Sequence, residues 1–459
     1  MKKRILALLV CMVMLTSLVV GCGQSNTNTD AAATAAGTQA AGSTSADATA
    51  GAKELSGTFT YWSCFSGDSM KWDQGRIDAF NKENPNIQCK AQFVTDSAGI
   101  NNGKLLAAIA GGNAPDLIIA DDYSSAYSFA ANGSFESWTP YLSAAGINLD
   151  DFIAGFKDVI YYKDTPYLIP QDGNALMLYY NTDMFTEAGL DPNSPPTTLK
   201  QLDEYADKLS VKDSGGNYSR FGFIPWLDSG NDAFVWPFFF GNNVYDSSTG
   251  KLTITDQNIT DCYSWMRSYA QKYNPEKIQA FVSGAGGMFS PDHPFMTGKV
   301  AMTVTGNWFT NALKIYAPNV KYKVAPVPTP EGGRSNCTTV NANVFAIPKG
   351  AKNADLAAYF LKYALQPEVN AINFDQWRSF PTIDKSFEEV SWTKNNDATY
   401  ALERKLVNSP DSGMPALCKV SAQLSVDINA LRDSVIYNDK EPLPLLKALQ
   451  DKMQAELDK

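Results

Sequence analysis

The sequence predicts an α/β protein built from two lobes, and three observations support this prediction. Short apolar runs typical of strands alternate with helical stretches, the order expected of parallel sheets with right-handed crossovers. The roughly 400 residues after residue 54 exceed what one hydrophobic core usually holds, so two cores are expected. Residues 175–180 contain no charge and no proline, which is typical of a strand buried on both faces.

The N-terminus has the pattern of a secretory signal. Lys2, Lys3 and Arg4 precede an uncharged run over residues 5–20, and Gly21-Cys22 follows. This run is short for a membrane span of about 20 residues. The Gly-Cys pair resembles a bacterial lipobox, so residues 1–21 are predicted to be a lipoprotein signal peptide and Cys22 the lipidation site. An ordinary signal with a chance cysteine is the alternative.

Residues 22–54 are predicted to be a flexible low-complexity tether. After Cys22 they are mostly Ala, Thr, Ser, Gly, Asn and Gln, without an aromatic residue. Such a composition cannot bury enough apolar surface to offset the entropy of ordering. A chain of this length reaches on the order of 30 Å. That reach would hold a folded domain above a membrane.

Charge and cysteine usage exclude several classes of function. The net charge is −10, which argues against a nucleic-acid partner. His293 is the only histidine and no CxxC pair occurs, so neither a metal site, a cofactor nor a histidine-based triad is expected. Beyond Cys11 and Cys22 five cysteines remain, and one disulfide is compatible with them. They are Cys64, Cys89, Cys262, Cys337 and Cys418.

The first part of the folded chain shows regular strand patterns. Residues 57–62 and 87–93 alternate apolar and polar positions, as half-buried strands do. Residues 117–120 are entirely apolar and predict a buried strand. A helix is expected from Ser124 to about Ala131, ended by Gly133.

The stretch over residues 169–209 combines a turn, a strand and two helices. Gly173 is expected to supply a positive φ in a turn before the strand. Asn181 is expected to cap a short helix that ends at Gly189. Thr198 and Gln201 have the spacing of a capping box for a second helix over residues 199–209.

Three motifs in this order resemble the maltose-binding-protein-like branch of the bacterial extracellular solute-binding proteins. They are Tyr180-Asn181-x-Asp183-x-Phe185 with Ala188-Gly189-Leu190, Phe295-x-x-Gly298-Lys299-x-Ala301-Met302, and the run AIPKGAKNADLAAYF over residues 346–360. The resemblance implies a type II periplasmic-binding-protein-like fold, in which crossing strands join two lobes at a hinge. Crossings are then expected near residues 169–174 and 324–330. The N-terminal lobe would hold residues 55–170 and 328–352, and the C-terminal lobe residues 171–327 and 353–459.

Ligand contacts are expected where strands end, because ligands of open parallel sheets bind beyond the carboxyl ends. Trp62 ends the first strand, Asp121 and Asp122 follow another, and Asn174 precedes the buried strand. Asn307 and Trp308 follow a strand that starts at Val300. Related proteins place a Gly-x-Trp here with the tryptophan on the sugar, which the resemblance implies for Trp308. Packing beneath the following helix is the alternative for Trp308.

Four further residues are weaker ligand candidates. Trp226 and Trp236 stand beside Pro225 and Pro237 in an aromatic-rich segment, and packing in the core is the alternative for both. Trp377 and Arg378 belong to a loop that borders the cleft in related proteins.

The sequence thus predicts a monomeric, lipid-anchored binding protein on the extracellular side of the cell membrane. By resemblance it delivers a solute to the permease subunits of an ABC importer. The aromatic content favours a carbohydrate, a mono- or oligosaccharide, since aromatic faces stack on sugar rings and a charged ligand needs Arg. A peptide or a charged metabolite is one alternative. A surface carbohydrate-active enzyme with paired carboxylates is another, and no catalytic residue is predicted.

Overall fold

The computed structural model describes residues 55–65, 67–94, 103–371, 378–391 and 397–459. The strands in chain order are β1 (Gly57–Ser63), β2 (Ile87–Phe93), β3 (Leu117–Ala120), β4 (Phe135–Glu136), β5 (Tyr161–Tyr162), β6 (Thr165–Pro166), β7 (Ile169–Asn181), β8 (Val211–Lys212), β9 (Tyr218–Phe223), β10 (Tyr245–Asp246), β11 (Lys251–Leu252), β12 (Val300–Gly306), β13 (Tyr322–Ala325), β14 (Val340–Pro348) and β15 (Phe380–Pro381).

Helices connect most of these strands. They are α1 (Gly67–Glu83), α2 (Lys104–Ala110), α3 (Tyr123–Ala131), α4 (Thr139–Ala145), α5 (Ala154–Ile160), α6 (Thr182–Glu187), α7 (Leu199–Leu209), α8 (Val235–Phe239), α9 (Gln257–Tyr273), α10 (Pro275–Ser283), α11 (Trp308–Tyr316), α12 (Ala354–Ala364), α13 (Ala398–Val407), α14 (Ser421–Tyr437) and α15 (Pro442–Leu457). Short 3-10 turns cover Leu149–Asp151, Asp228–Asn231 and Asp384–Glu389.

The main sheet has the order β2-β1-β3-β14-β7-β12-β9-β8. β1 runs parallel to β2 and β3, and β9 runs parallel to β12. β14 and β12 are antiparallel to β7 on its two sides. The predicted α/β class is confirmed, with parallel pairing among β1, β2 and β3 and between β9 and β12, and antiparallel pairing around β7.

β7 is the strand that joins the two halves of the sheet. Its first half, from Ile169 to Ala175, pairs with β14, and its second half, from Leu176 to Asn181, pairs with β12 and β13. The predicted turn at residues 170–174 is therefore wrong, because these residues continue the strand. Gly173 does not adopt a positive φ. A Cβ there would lie 2.1 Å from Cζ of Phe156, so glycine is required by the close approach of that ring.

Buried side chains form separate cores on the two sides of this strand. Phe59, Leu117 and Phe345 belong to one of the clusters on the first side. Residues such as Phe223, Val304 and Leu424 form the large cluster on the second side. α12, which the sequence assigned to the C-terminal lobe, packs in the first group of cores through Leu356, because its apolar face covers β1.

The second crossing of the chain between the two lobes lies later than residues 324–330, where the sequence predicts it. Ala325, Val327 and Cys337 are still buried in the second core, whereas Val340 is buried in the first. The crossing is late because β13 pairs with the second half of β7, which keeps residues 322–325 on the second side.

Several local predictions are confirmed by hydrogen bonds. The Thr198 hydroxyl accepts a bond from the Gln201 amide at 3.2 Å, while the Gln201 side chain accepts one from the Thr197 amide at 2.9 Å. Asn181 caps α6 by accepting from the Met184 amide. The cysteines at positions 64, 89, 262, 337 and 418 are buried, and none of these five forms a disulfide.

We expect Gly173→Ala to lower the free energy of unfolding by about 1–3 kcal/mol, because the new methyl group overlaps the Phe156 ring. Chemical unfolding measures this loss. Gly75→Ala is the matched control: Gly75 lies in α1 with no neighbouring atom within 4 Å of an added Cβ, so this change should stabilise by about 0.5–1 kcal/mol.

Shortening the opposing ring provides a second control for the same contact. In a Phe156→Leu background, the additional loss caused by Gly173→Ala should shrink, because the ring carbons that clash are gone. Equal stability of Gly173→Ala and the unmodified protein would contradict this account of β7.

Candidate ligand-binding cleft

The register of the strands places a set of loops at the junction between the cores. Gly306, the last residue of β12, lies opposite Leu176 in the middle of β7. Ala120, the last residue of β3, lies opposite Val344, close to the point where β14 starts beside Ala175. The carboxyl ends of β3 and β12 thus approach the junction from opposite sides. This is where open parallel sheets bind their ligands.

On the first side, the residues after β3 begin helix α3. Asp122 is its N-cap and accepts hydrogen bonds from the Ser124 amide at 3.0 Å and the Ser124 hydroxyl at 2.7 Å. Its other oxygen accepts from the Ser125 hydroxyl at 2.5 Å. Asp122 therefore has a structural role and is only partly exposed, whereas Asp121 is exposed beside it.

On the second side, the loop after β9 leads through the 3-10 turn Asp228–Asn231 to Asp232. The Asp232 side chain is exposed, yet removal of water by surrounding protein raises its pKa. The surrounding residues therefore partly desolvate a carboxyl group that is still accessible, and we call its surroundings the recess. The Asp122 carboxylate also raises the pKa of Asp232, so the two acids approach each other from opposite sides.

Tyr123 and Arg432 complete the surroundings of this acidic pair. The buried Tyr123 hydroxyl donates to the Pro415 carbonyl oxygen at 3.2 Å, which connects α3 to the segment before α14. Burial raises the pKa of Tyr123, and the carboxylate of Asp232 raises it further. Arg432 lowers the pKa of Asp232 by its charge, but it is itself 7% exposed and ion-paired with Asp433 at 2.8 Å. The recess is accordingly acidic.

Trp308 starts α11 at the carboxyl end of β12 and is half-buried. Its ring lies directly over the backbone of Gly306, where an added Cβ would be 2.0 Å from ring carbon Cζ3. The ring contacts two apolar clusters and keeps part of its surface accessible. A residue larger than glycine at position 306 would displace this ring, so Gly306 fixes its orientation.

Comparison with known proteins identifies this architecture. A model of the family described as bacterial extracellular solute-binding protein matches residues 66–371. The chain belongs to this family.

The relatives of this solute-binding protein are named for two kinds of ligand, a phosphate ester and saccharides. This chain is 26% identical over 376 residues to the sn-glycerol-3-phosphate-binding periplasmic protein UgpB of Escherichia coli O1:K1 / APEC, and the alignment covers 77% of this chain and 81% of the relative. The solved structure of CpMnBP1 with mannotriose bound superposes with a TM-score of 0.78 at 28% identity, covering 86% of this chain and 99% of CpMnBP1. The acarbose receptor GacH of Streptomyces glaucescens, at 21% identity and a TM-score of 0.71, shares the fold, covering 88% of this chain and 99% of GacH.

Two predicted ligand-contact residues of this solute-binding protein, Trp62 and Asn174, lie near the junction between the cores and are only half-buried. Trp62 is half-buried near the end of β1, and the Lys104 ammonium lies 5.0 Å from the centre of its ring. Asn174 is half-buried in β7 opposite Asn341 of β14. Both remain candidates for ligand contact.

Trp226 and Trp236 are not cleft residues. They are 1% and 0% exposed and pack in the second core. The Trp236 indole nitrogen donates to the Pro225 carbonyl oxygen at 2.7 Å, so the neighbouring proline marks a tight internal contact instead of a loop edge. The alternative of core packing is correct for both residues.

Asn307 is also not available to a ligand, because its side chain is fully buried and hydrogen-bonded. Its carbonyl oxygen accepts from the Ala175 amide at 3.1 Å, and its own amide group donates to the Arg378 carbonyl oxygen. The residue therefore connects the start of α11 to the middle of β7. Its two partners lie 132 and 71 residues away in sequence.

Arg378 has an electrostatic role inside the protein. It is 2% exposed, donates to Asp397 at 3.0 Å and lies 3.7 Å from Glu403. Burial raises the pKa of Glu403 to about 8, and the Arg378 charge opposes that rise. The prediction that Arg378 contacts the ligand is wrong, because its side chain is buried and the carboxylates of Asp397 and Glu403 lie beside its charge.

Trp377 and Cys22 lie outside the described residues.

Asp232 and Tyr123 are the residues that sequence reasoning missed. Asp232 follows β9, whose carboxyl end approaches the same junction as β12 because the two strands are parallel. Recognising Tyr218–Phe223 as a strand would have directed attention to the acid after it.

Among the described residues, no helix is both long and apolar enough to cross a membrane.

Proposed function

We propose that this protein is the substrate-binding component of an ABC importer and that it binds a neutral carbohydrate between its two lobes. The observation that carries the proposal is the acidic recess formed by Asp122 and Asp232, with the Trp308 ring at the same junction. Carboxylates accept hydrogen bonds from sugar hydroxyls, and an aromatic face stacks on the apolar face of a sugar ring. The family and the structural similarity to CpMnBP1 support this assignment.

A phosphate ester such as sn-glycerol-3-phosphate fits this recess poorly. A phosphate group needs cationic or N–H donors, most often arginine. Arg432 is paired with Asp433, and Arg378 with Asp397. Placing a phosphate beside two carboxylates would add like-charge repulsion in a partly desolvated site. The electrostatics therefore favour the sugar over the phosphate ester, although UgpB is named for the latter.

The two cores support a division into lobes that move as units. On the packing described above, one lobe holds residues 55–65, 67–94, 103–170 and 340–371, and the other holds residues 176–337 and 416–459. β7, residues 338–339 and the segment from α13 to residue 415 connect them, since α13 packs on the first side through Tyr400 and on the second side through Leu406. Bending at these three connections would close the cleft on a ligand.

The chain is proposed to act as a binding protein without catalysis. Its relatives are solute-binding proteins. Asp122 uses both carboxylate oxygens to cap α3, so it is not placed to exchange a proton with a glycosidic oxygen.

We further propose that Cys22 is acylated and that residues 22–54 tether the protein to the outer face of the cell membrane, where it acts as a monomer. The Gly21-Cys22 pair after an apolar run and the low-complexity composition that follows support this localisation.

Titration calorimetry with a panel of saccharides and sn-glycerol-3-phosphate tests the ligand assignment. We expect a neutral mono- or oligosaccharide to bind and the phosphate ester not to bind at the same concentrations. Trp308→Ala should weaken sugar binding about tenfold to a hundredfold, since a ring face of roughly 50–100 Å² contributes about 1–3 kcal/mol. Tight phosphate binding without any sugar binding would reject the proposal.

Trp236→Phe is the matched control for Trp308→Ala. It alters a tryptophan of the same lobe that is fully buried, so the unfolding temperature should fall while the Kd stays within about twofold for folded protein. A loss of sugar affinity in this control equal to that in Trp308→Ala would show that the effect on binding is indirect.

We expect Cys22→Ala to abolish acylation, because the thiol that carries the lipid is absent. Mass spectrometry of the membrane fraction should find an acyl group on Cys22 in the unmodified protein and none in the variant. Cys64→Ala is the control and should remain acylated, as Cys64 is a buried residue of the folded domain. Unmodified protein without an acyl group would exclude the anchor.

A further inference from the structure

The only histidine of the chain, His293, is fully buried beside the strand β12. Its ring meets the ring of Phe309 edge-on, with 5.0 Å between the ring centres. Phe309 directly follows Trp308 in α11. Because the imidazole has no accessible surface, it does not itself contact a ligand, and any role in binding must act through its neighbours.

Hydrogen bonds fix the tautomer and the direction of this ring. Nδ1 of His293 accepts from the Phe295 amide at 3.3 Å, so the ring proton is on Nε2, which donates to Asp228 at 2.8 Å. The other Asp228 oxygen accepts from the Thr303 hydroxyl of β12 at 2.6 Å. The Asp228 side chain is 5% exposed. A desolvated carboxylate is thus held from two sides.

Asp228 is the first residue of the 3-10 turn that leads to Asp232, and it has a left-handed φ of 54°. A residue other than glycine adopts this conformation at a cost, which the two bonds to its side chain offset. At the other end of the turn, the Asp232 amide donates to the Ser229 carbonyl oxygen at 3.1 Å. One Asp232 carboxylate oxygen accepts from the Phe234 amide at 2.9 Å. The position of the Asp232 carboxylate therefore depends on a turn whose first residue is held by His293.

We propose that His293 is a positioning residue of the ligand site, which fixes, through Asp228, the turn that presents Asp232 to the recess. This inference rests on the proposed carbohydrate function and assigns part of the ligand affinity to a residue that does not touch the ligand. If His293 only stabilises the fold, its loss lowers stability and leaves the affinity of folded protein unchanged.

Titration calorimetry with mannotriose and maltotriose tests the proposal, and whichever of the two binds serves as the probe. Asp232→Asn should raise the Kd about tenfold, because a charged acceptor for a sugar hydroxyl is lost. His293→Leu should raise it by a similar factor. The double variant should bind no more weakly than Asp232→Asn alone, since both changes remove the same contact.

His293→Gln is the conservative variant. Its side-chain amide carries an N–H donor at about the distance of Nε2 from the backbone, so the bond to Asp228 can form and the Kd should stay within about twofold. Thr303→Val removes the other donor to Asp228 with little change of volume and should weaken binding as His293→Leu does.

Tyr180→Phe is the matched control. It also removes a buried hydrogen bond of the second lobe, from the Tyr180 hydroxyl to the Pro192 carbonyl oxygen at 3.0 Å, but Tyr180 lies at the end of β7 away from the junction. Its unfolding temperature should fall while the Kd stays unchanged. A loss of affinity equal to that of His293→Leu would overturn the proposal.

Nuclear magnetic resonance of the free, untagged protein provides a measurement that needs no ligand. The imidazole ¹⁵N resonances belong to one residue and should show the proton on Nε2. The carboxyl ¹³C resonance of Asp232, assigned with Asp232→Asn, should move in His293→Leu and Thr303→Val. It should stay in place in His293→Gln and Tyr180→Phe.

The remaining outcomes also decide. Additive losses in the double variant, or an unchanged Kd in folded His293→Leu, overturn the positioning role and leave the carbohydrate function standing. If His293→Leu does not fold, Thr303→Val decides, and an unchanged Kd and Asp232 resonance in that variant overturn the proposal. If the unmodified protein binds no saccharide, the proposed function fails, and the Asp232 resonance still shows whether His293 positions that residue.

Discussion

The arrangement of the whole molecule depends on one strand that is hydrogen-bonded to both halves of the sheet. β7 pairs with β14 through Ala175 and with β12 from Leu176 onward. At this change of partner, Asn307 binds the backbone of Ala175 and thereby fixes the start of α11. The strand cannot slip by one residue without turning every buried side chain to the opposite face. The position of Trp308 relative to the first lobe is therefore set by the register of β7.

The chemistry of the cleft follows from the ends of the strands that this register aligns. Asp122 and Asp232 are separated by more than one hundred residues in sequence, yet the Asp122 carboxylate raises the pKa of Asp232 across the junction. Two acids in a partly desolvated recess repel an anion and accept hydrogen bonds from hydroxyl groups. The same recess would be an unfavourable site for a phosphate ester. Electrostatics therefore distinguishes between the two ligand classes found among the relatives.

The sequence predicts elements that depend on neighbouring residues better than it predicts sites that depend on distant ones. The helix over residues 199–209 with its cap at Thr198 is confirmed, because capping uses residues three apart. Asn307 was expected to contact the ligand, but its partners lie far away in the chain and saturate its side chain. Trp226 and Trp236 were misjudged for a related reason, since an adjacent proline does not distinguish a loop edge from a tight core contact.

Gly173 and Asp232 are two further positions whose roles depend on residues far away in the sequence. Nothing near Gly173 in sequence reveals that the Phe156 ring occupies the space of its missing side chain. Asp232 became a site residue only when β9 was placed parallel to β12. Both positions are decided by tertiary contacts, which a pattern within ten or twenty residues does not contain.

Small-angle X-ray scattering with and without a saturating sugar tests the central claim, that two lobes joined through β7 close on a carbohydrate. Mannotriose, or whichever saccharide calorimetry shows to bind, is the probe. The account predicts a smaller radius of gyration in the complex and an unchanged far-UV circular dichroism spectrum, since the lobes rotate as rigid units. Identical scattering curves for the free and the fully bound protein would contradict it.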